Sequence, residues 1–128
     1  MRIERLDHLV LTVADLRATI DFYVTVLGMR EVTFGDDRKA LAFGQSKINL
    51  HEAGHEFEPK ARHVAPGSAD LCFVTETPLD DVLATLAAHD VPVLEGPGDR
   101  TGALGQMRSV YVRDPDGNLV EISNYPDQ

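Results

Sequence analysis

The sequence predicts an α+β fold made of two βαβββ modules, whose mixed sheets form a cup with the helices on the outside. Two observations predict it. The order of strand and helix signals in the first half returns in the second half, and the predicted strands alternate polar with apolar residues. With 128 residues, the chain has the size of one compact domain. We therefore expect a single domain that covers residues 1–128.

The first module is predicted over residues 4–52. Residues 7–13 alternate in the way a strand does. A helix with an apolar stripe follows, with Asp15 placed to cap it and Gly28 placed to end it. Three short strand-like runs complete the module, at residues 30–34, 39–43 and 47–52.

The same order returns over residues 68–125, after a linker of residues 53–67 that is rich in proline, glycine and mixed charge. A second helix begins near Thr77 and Pro78 and ends near Asp90. The strands of this module are predicted at residues 68–75, 91–94, 107–113 and 119–125. A ferredoxin-like sandwich is the alternative that this order of elements leaves open.

Composition and charge restrict the function. The net charge is −9, and the basic residues are scattered, so we expect neither a nucleic acid nor an anionic membrane as partner. The apolar run near the N-terminus is too short to span a membrane, which predicts a cytoplasmic protein. The lone Cys72 cannot form an internal disulfide, and we expect it to be a small buried hydrophobic residue.

Polar residues at matching positions of the two modules indicate a site. Superposing the halves by their first strands places His8 over Asp70, and superposing them by their last strands places Asn49 over Glu121. Strand alternation turns these four residues and His51 away from the helices. Because His, Asp and Glu suit a borderline divalent ion, we predict a metal held by His8 and Glu121 with help from Asp70 or His51.

Two stretches carry a resemblance to a known family, DHLVLTVADLRATIDFYVTVLGM at the start and RDPDGNLVEISNY at the end. On these motifs the chain is identified as a member of the vicinal oxygen chelate superfamily. That superfamily includes glyoxalase I, bleomycin-resistance proteins, fosfomycin-resistance transferases and extradiol dioxygenases. The chain further resembles small glyoxalase-domain proteins described as lactoylglutathione-lyase-like.

The resemblance implies metal ligands at His8 and Glu121. The third ligand of the family is often His, where this chain has Asp70, and the fourth is Glu in bacterial glyoxalase I, where it has Asn49, with His51 two residues on. Asn49 cannot act as a base, so it is assigned to substrate binding. The implied activity is that of a glyoxalase I-type lyase or isomerase acting on a small α-oxygenated or thiol-adduct substrate, with Ni, Zn, Mn or Fe as cofactor and Glu121 as base.

A glycine-rich loop of residues 96–105 is predicted to be a mobile flap, on which Arg100 and Thr101 grip a substrate carboxylate or phosphate. A flexible turn with an exposed arginine is the alternative interpretation, and Lys60 and Arg62 in the linker are further candidates.

Two alternatives for the function stay open. An extradiol dioxygenase would need a second histidine at Asp70, and a bleomycin-resistance type binder would need no metal. The resemblance also implies pairing of modules between chains, so we expect a homodimer.

Overall fold

A computed structural model describes residues 1–126, which form two compact units: the first ends at Ser68 and the second begins at Ala69. The strands are β1 (His8–Val13), β2 (Arg30–Phe34), β3 (Arg38–Phe43), β4 (Ser46–Glu52), β5 (Asp70–Val74), β6 (Glu95–Gly102), β7 (Gly105–Arg113) and β8 (Leu119–Asn124). The α-helices are α1 (Leu16–Asp21) and α2 (Leu79–Ala88), and a π-helical turn (Phe22–Val26) extends α1. No helix within residues 1–126 is both long and apolar enough to cross a membrane.

The first unit contains a four-stranded sheet in the order β1-β4-β3-β2. Strands β1 and β4 pair in parallel, and the other neighbours are antiparallel. Asp15 caps α1 as predicted, because its Oδ1 accepts a hydrogen bond of 3.0 Å from the backbone N–H of Ala18. The helical segment ends before Gly28, whose φ of +77° lies in the left-handed region that glycine adopts without strain.

The second unit repeats this arrangement in the order β5-β8-β7-β6. Leu71 pairs with Val120 just as Leu9 pairs with Ile48 in the first unit. Ile48 and Val120 are fully buried in their sheets, so the apolar positions that define the predicted repeat do form the cores of the two units. Two separate four-stranded sheets confirm the βαβββ modules and replace the ferredoxin-like alternative.

The predicted strand at residues 91–94 and the predicted flap at residues 96–105 are both wrong. Residues 91–94 are irregular, and β6 (Glu95–Gly102) runs through the expected flap, paired with β7. A side chain at Gly96 would approach the carbonyl oxygen of Ser109 to 2.5 Å. The glycine there serves close strand packing at a bulge between Glu95 and Gly98.

Two smaller predictions are also corrected. Pro78, not Thr77, is the N-cap of α2, and the first backbone N–H of that helix donates instead to the side chain of Asn124 at 3.0 Å. Cys72 is exposed and not buried. Its alternating position on β5 turns it away from the apolar face, a fact that the apolar run around it concealed.

Candidate active site

Strand pairing defines a polar face in the first unit. His8, Val10 and Thr12 of β1 lie opposite Lys47, Asn49 and His51 of β4. Ala40 pairs with Asn49 and Arg38 pairs with Phe34, which continues the same face across β3 and β2. We call it the unit 1 polar face, with His8, Thr12, Arg30, Phe34, Arg38, Lys47, Asn49 and His51 as its polar and aromatic residues.

The second unit has a corresponding face. Cys72 and Tyr111 flank Glu121 on the neighbouring strands, and Ser109 pairs with Ser123. We call it the unit 2 polar face, with Asp70, Cys72, Glu95, Arg100, Ser109, Tyr111, Arg113, Glu121 and Ser123 as its polar and aromatic residues. The predicted turning of His8, Asn49, Asp70 and Glu121 to the face opposite the apolar positions is thus confirmed within each unit.

His8 lies at the start of β1 with its side chain 44% exposed. Its Nδ1 is 2.8 Å from Oδ2 of Asp7, and this hydrogen bond lowers the pKa of the Asp7 carboxyl. Because the Asp7 carboxylate accepts the proton on Nδ1, it favours the tautomer with a lone pair on Nε2. Metal-binding histidines are commonly oriented by such a carboxylate.

Glu121 is held at the centre of β8 by two serines. The hydroxyl of Ser123 donates to Oε2 of Glu121 at 3.4 Å, and the hydroxyls of Ser109 and Ser123 are 2.6 Å apart. Since Ser123 has one proton and gives it to Glu121, Ser109 donates to Ser123. Both serines are fully buried, so this chain of hydrogen bonds fixes the carboxylate against the sheet.

Tyr111 lies directly opposite Glu121 and interacts with its carboxylate. Burial raises the pKa of Tyr111 above its ordinary value, against the opposing effect of Arg100. The Nε–H of Arg100 donates to the Tyr111 hydroxyl at 3.0 Å, which leaves the tyrosine proton free to be donated to an acceptor. Tyr111 is therefore a neutral donor beside Glu121.

Arg100 is committed to contacts within its own unit. Besides Tyr111, it donates to Oε2 of Glu95 at 3.0 Å and to the backbone carbonyl of Asp99 at 2.7 Å. The hydrogen bond to Tyr111 raises the pKa of Arg100. Thr101 is the next residue on β6, so its side chain points to the opposite face of the strand. The two residues predicted to grip one substrate group together are not brought together.

Asn49 and His51 are buried, and each has side-chain atoms without a hydrogen-bond partner. Asn49 is 8% exposed and its Oδ1 has no partner, while His51 is 3% exposed and both of its ring nitrogens lack one. Burial lowers the pKa of His51, and the cation of Arg38 adds to that effect. Such groups are rare in folded proteins, because each loses its hydration without compensation.

Residues of the predicted linker form part of the surroundings of His51. The ring of Phe57 meets the ring of His51 edge to face, with centroids 5.4 Å apart. The guanidinium of Arg38 lies 4.3 Å from the Phe57 centroid and 5.3 Å from that of Phe34. Lys60, a linker candidate for substrate binding, forms an ion pair with Glu58, which raises the pKa of Lys60.

Sequence reasoning missed Arg38, Phe57 and Tyr111. Strand alternation could have found Arg38, since it shares the parity of Ala40, which pairs with Asn49. The same signal applies to Tyr111, which pairs with Glu121. Phe57 follows the last strand of its unit in an irregular segment, and nothing in the local sequence indicates that it returns to the sheet.

The metal site stays a prediction. Asp70 is exposed at the start of β5, on the same face as Glu121. Within residues 1–126, no group of three or more His, Cys, Asp or Glu side chains is arranged to hold an ion.

The second unit also has a groove of about 540 Å³ away from these residues. It is lined by Leu79, Asp80, Pro97, Asp99, Gln106, Met107, Arg108, Asn124, Tyr125 and Pro126. No residue that the sequence predicted for the site lines it.

Two βαβββ units with polar residues at repeat-equivalent strand positions define a class of proteins. Residues 5–122 match the model of the Glyoxalase/Bleomycin resistance protein/Dioxygenase superfamily. The chain belongs to this superfamily, as its terminal motifs predicted.

Particular relatives extend that result. The chain is 58% identical over 125 residues to virulence protein STM3117 of Salmonella typhimurium, covering 98% of this chain and 87% of the relative. The crystal structure of STM3117 superposes with a TM-score of 0.96 over 98% of this chain and 99% of that chain. The glyoxalase domain-containing protein RDO1 of Mycosarcoma maydis is 55% identical over 99% of this chain and 72% of its own length. The structure of a lactoylglutathione lyase from Agrobacterium tumefaciens is 25% identical, with a TM-score of 0.73 over 96% of this chain and 95% of that chain.

Proposed function

We propose that this protein is a metal-dependent lyase or isomerase of the glyoxalase I type, acting on a small α-oxygenated or thiol-adduct substrate. The observation that carries the proposal is the hydrogen bond of 2.8 Å between Nδ1 of His8 and the carboxylate of Asp7. It presents Nε2 of His8 as a ligand, in the way that carboxylates support metal-binding histidines. The likeness to the lactoylglutathione lyase supports the reaction class.

The proposed donors suit a borderline divalent ion by their chemistry, although no three of them are arranged around one point within residues 1–126. We assign Nε2 of His8 and the carboxylate of Glu121 as ligands, with Asp70 as the third, and one nitrogen with two carboxylates suits Ni, Zn, Mn or Fe. When bound, such an ion acts as a Lewis acid toward adjacent oxygens of the substrate. His51 is the weaker candidate, because the nearby Arg38 cation opposes the binding of a second positive charge.

The remaining chemistry belongs to the chain itself. Once substrate binding releases its carboxylate from the ion, Glu121 would serve as the base that takes a proton from the carbon next to the substrate carbonyl and returns it to the neighbouring carbon. Ser123 and Ser109 hold the carboxylate in place through their hydrogen bonds. Tyr111, whose proton is free because Arg100 supplies its other hydrogen bond, donates to the carboxylate or to a developing oxyanion. Asn49 contacts the substrate.

A second candidate is a non-catalytic protein that binds a drug or metabolite. It is favoured by the absence, within the described residues, of a cluster of three potential ligands. The neutral Asn49 at the position equivalent to Glu121 favours it as well. A binder needs neither a base nor a metal.

Metal binding separates the two candidates. Protein stripped with 1,10-phenanthroline and then given Ni, Zn, Mn or Fe should melt at a higher temperature with one of these ions, because a ligand of the native state stabilises it by mass action. His8→Ala should abolish that shift, whereas His89→Ala, at an exposed helix end, should retain it. The loaded protein should then form S-lactoylglutathione from methylglyoxal and glutathione. An unchanged melting temperature with every ion would favour the binder.

The proposal includes a homodimer in the cytoplasm that takes a small molecule as substrate. Sedimentation at micromolar concentration should give twice the mass of 14.1 kDa. A concentration-independent monomer would contradict the proposed assembly.

A further inference from the structure

The unit 1 polar face contains a second group of residues, of which the proposed function uses only Asn49, as a substrate contact. Three side chains on adjacent strands carry buried polar atoms with no partner, namely Nε of Arg38, Oδ1 of Asn49 and both ring nitrogens of His51. Asn49 and His51 are more than nine-tenths buried. A buried polar atom without a hydrogen-bond partner destabilises the fold. The presence of four such atoms on one face therefore indicates a ligand that supplies the missing partners.

Arg38 supplies the charge of this group. No carboxylate among residues 1–126 forms an ion pair with it, and its guanidinium lies over the rings of Phe34 and Phe57. The nearby acidic residues are already engaged, since Glu58 pairs with Lys60 and Glu56 accepts from the backbone N–H of Gly54. A guanidinium against aromatic rings keeps its N–H groups available at its edge, in the geometry that a carboxylate accepts.

Asn49 and His51 add a second requirement. Neutral imidazole has one N–H donor and one acceptor nitrogen, and Oδ1 of Asn49 is also an acceptor. A bare carboxylate would accept hydrogen bonds from Arg38 and from the imidazole N–H. It would leave Oδ1 of Asn49 and the second ring nitrogen of His51 without a donor. The ligand must therefore carry a donor next to its carboxylate.

A hydroxyl fits that requirement better than an ammonium group. Both can donate, but an ammonium group would bring a positive charge beside Arg38 in surroundings where burial weakens screening by water. The rings of Phe34 and Phe57 offer apolar contact for the carbon atoms that follow. Phe57 is 40% exposed, so a ligand can still cover it.

We propose that Arg38, Asn49 and His51 form a binding site for the carboxylate and neighbouring hydroxyl of a 2-hydroxy acid, with Phe34 and Phe57 against its carbon chain. The inference rests on the proposed function in that it names the class of α-oxygenated substrate or product. Binding itself requires only the first unit's residues and no metal.

Matched ligands test the two requirements separately. Protein stripped with 1,10-phenanthroline, which has no carboxylate, is titrated by NMR with 3-phenyllactate, 3-phenyllactamide, 3-phenylpropionate, phenylalanine and inorganic phosphate. We expect 3-phenyllactate to bind with the lowest Kd and to shift the side-chain resonances of Arg38 and His51. Loss of the charge in the amide or of the hydroxyl in phenylpropionate should raise Kd by about fivefold or more. Equal affinity for the amide, phenylalanine or phosphate would overturn the proposal.

Matched variants test the residues. Arg38→Met should raise the Kd for 3-phenyllactate by about tenfold or more, because it removes a charge-assisted hydrogen bond. Arg30→Met removes the same charge from an exposed position on β2 and should leave Kd nearly unchanged. If Arg38→Met does not fold, Arg38→Lys provides the comparison, since it keeps the charge without the planar fork. An equal effect at Arg30 would show general attraction of anions and overturn the assignment.

Asn49→Leu gives the most specific readout. It should abolish the difference in affinity between 3-phenyllactate and 3-phenylpropionate, while His51→Phe should weaken both. Neither variant should lower Tm, because each removes a buried atom that has no partner. If Asn49→Leu leaves the preference for the hydroxyl intact, the inference is wrong.

The outcome is independent of the proposed reaction. Binding of 3-phenyllactate without any metal-dependent turnover would refute the proposed lyase activity and support the 2-hydroxy acid site. Turnover without binding of 3-phenyllactate would support the lyase activity and refute the site.

Discussion

The two polar faces have diverged in charge although their backbones repeat. At the matched positions of β4 and β8, the first unit has Asn49 where the second has Glu121. Across the sheet from these residues, the first unit has Ala40 and the second has Tyr111. The unit 1 polar face carries the cations Arg30, Arg38 and Lys47 and no carboxylate. The unit 2 polar face carries three carboxylates, those of Asp70, Glu95 and Glu121, against the two cations Arg100 and Arg113.

The two faces also differ in how their polar atoms are satisfied. Glu121 is connected to Ser123 and Ser109 by hydrogen bonds, while His51 and Asn49 have unpartnered buried atoms. A satisfied network holds a group in one orientation, and an unsatisfied one costs stability until a ligand arrives. The two units therefore share the pairing of their strands but differ in their polar faces, to which we assign an acidic catalytic group in the second unit and an anion site in the first.

The largest expected effect concerns Glu121, the residue of the unit 2 polar face that matches Asn49 in the first unit. Glu121→Gln should lower kcat for S-lactoylglutathione formation by about 10²- to 10⁴-fold, the range over which general base catalysis contributes. Glu76→Gln, the same change at an exposed residue of the second unit, should leave kcat within about twofold of the unaltered protein. Steady-state kinetics at saturating metal measures both. Wild-type turnover in Glu121→Gln would remove this residue from the chemistry.

The next effect tests whether the apolar sides of the two sheets are equivalent. Ile48→Ala should lower the free energy of unfolding by about 2–5 kcal/mol, and Val120→Ala should lower it by about 2 kcal/mol. Both residues are fully buried, so each change leaves a cavity in the core of its unit. Leu104→Ala, at a residue 86% exposed, should change it by less than about 0.5 kcal/mol. Urea unfolding provides the measurement. A negligible effect at either buried position would show that the two cores are not equivalent.

A third prediction concerns the support of His8. Asp7→Asn should weaken metal binding by about tenfold to 100-fold, since it replaces the carboxylate that orients the imidazole. Asp21→Asn removes the same charge from the exposed pair with Arg17 and is the control. Calorimetric titration of the metal-free protein measures both affinities. Equal weakening by the two changes would indicate loss of net charge as the cause.

The smallest effect has opposite signs in the two units. Asn49→Leu should raise the free energy of unfolding by about 1 kcal/mol, because it removes an unpartnered buried oxygen. Ser123→Ala should lower it by about 1 kcal/mol, because it interrupts the hydrogen bonds of Ser109 and Glu121. Urea unfolding of the metal-free protein measures both. Shifts of the same sign would contradict the contrast between a satisfied and an unsatisfied face.

Much of the fold could be predicted because alternation and caps are local signals. The repeat, the helix cap at Asp15 and the end of the helix at Gly28 all follow from residues near in sequence. Strand β6 could not be found in this way. Its glycines and Pro97 match the pattern of a loop, and hydrogen bonds to β7 make it a strand.

The sequence by itself determined the two βαβββ modules and the face to which His8, Asn49, Asp70 and Glu121 turn, because a strand's period of two fixes which residues share a side. Only the tertiary structure decided which polar atoms find partners. Arg100 pairs with Tyr111 and Glu95, and Phe57 returns to cover His51. Those contacts join residues far apart along the chain, and their formation depends on the packing of complete strands, which no local pattern encodes.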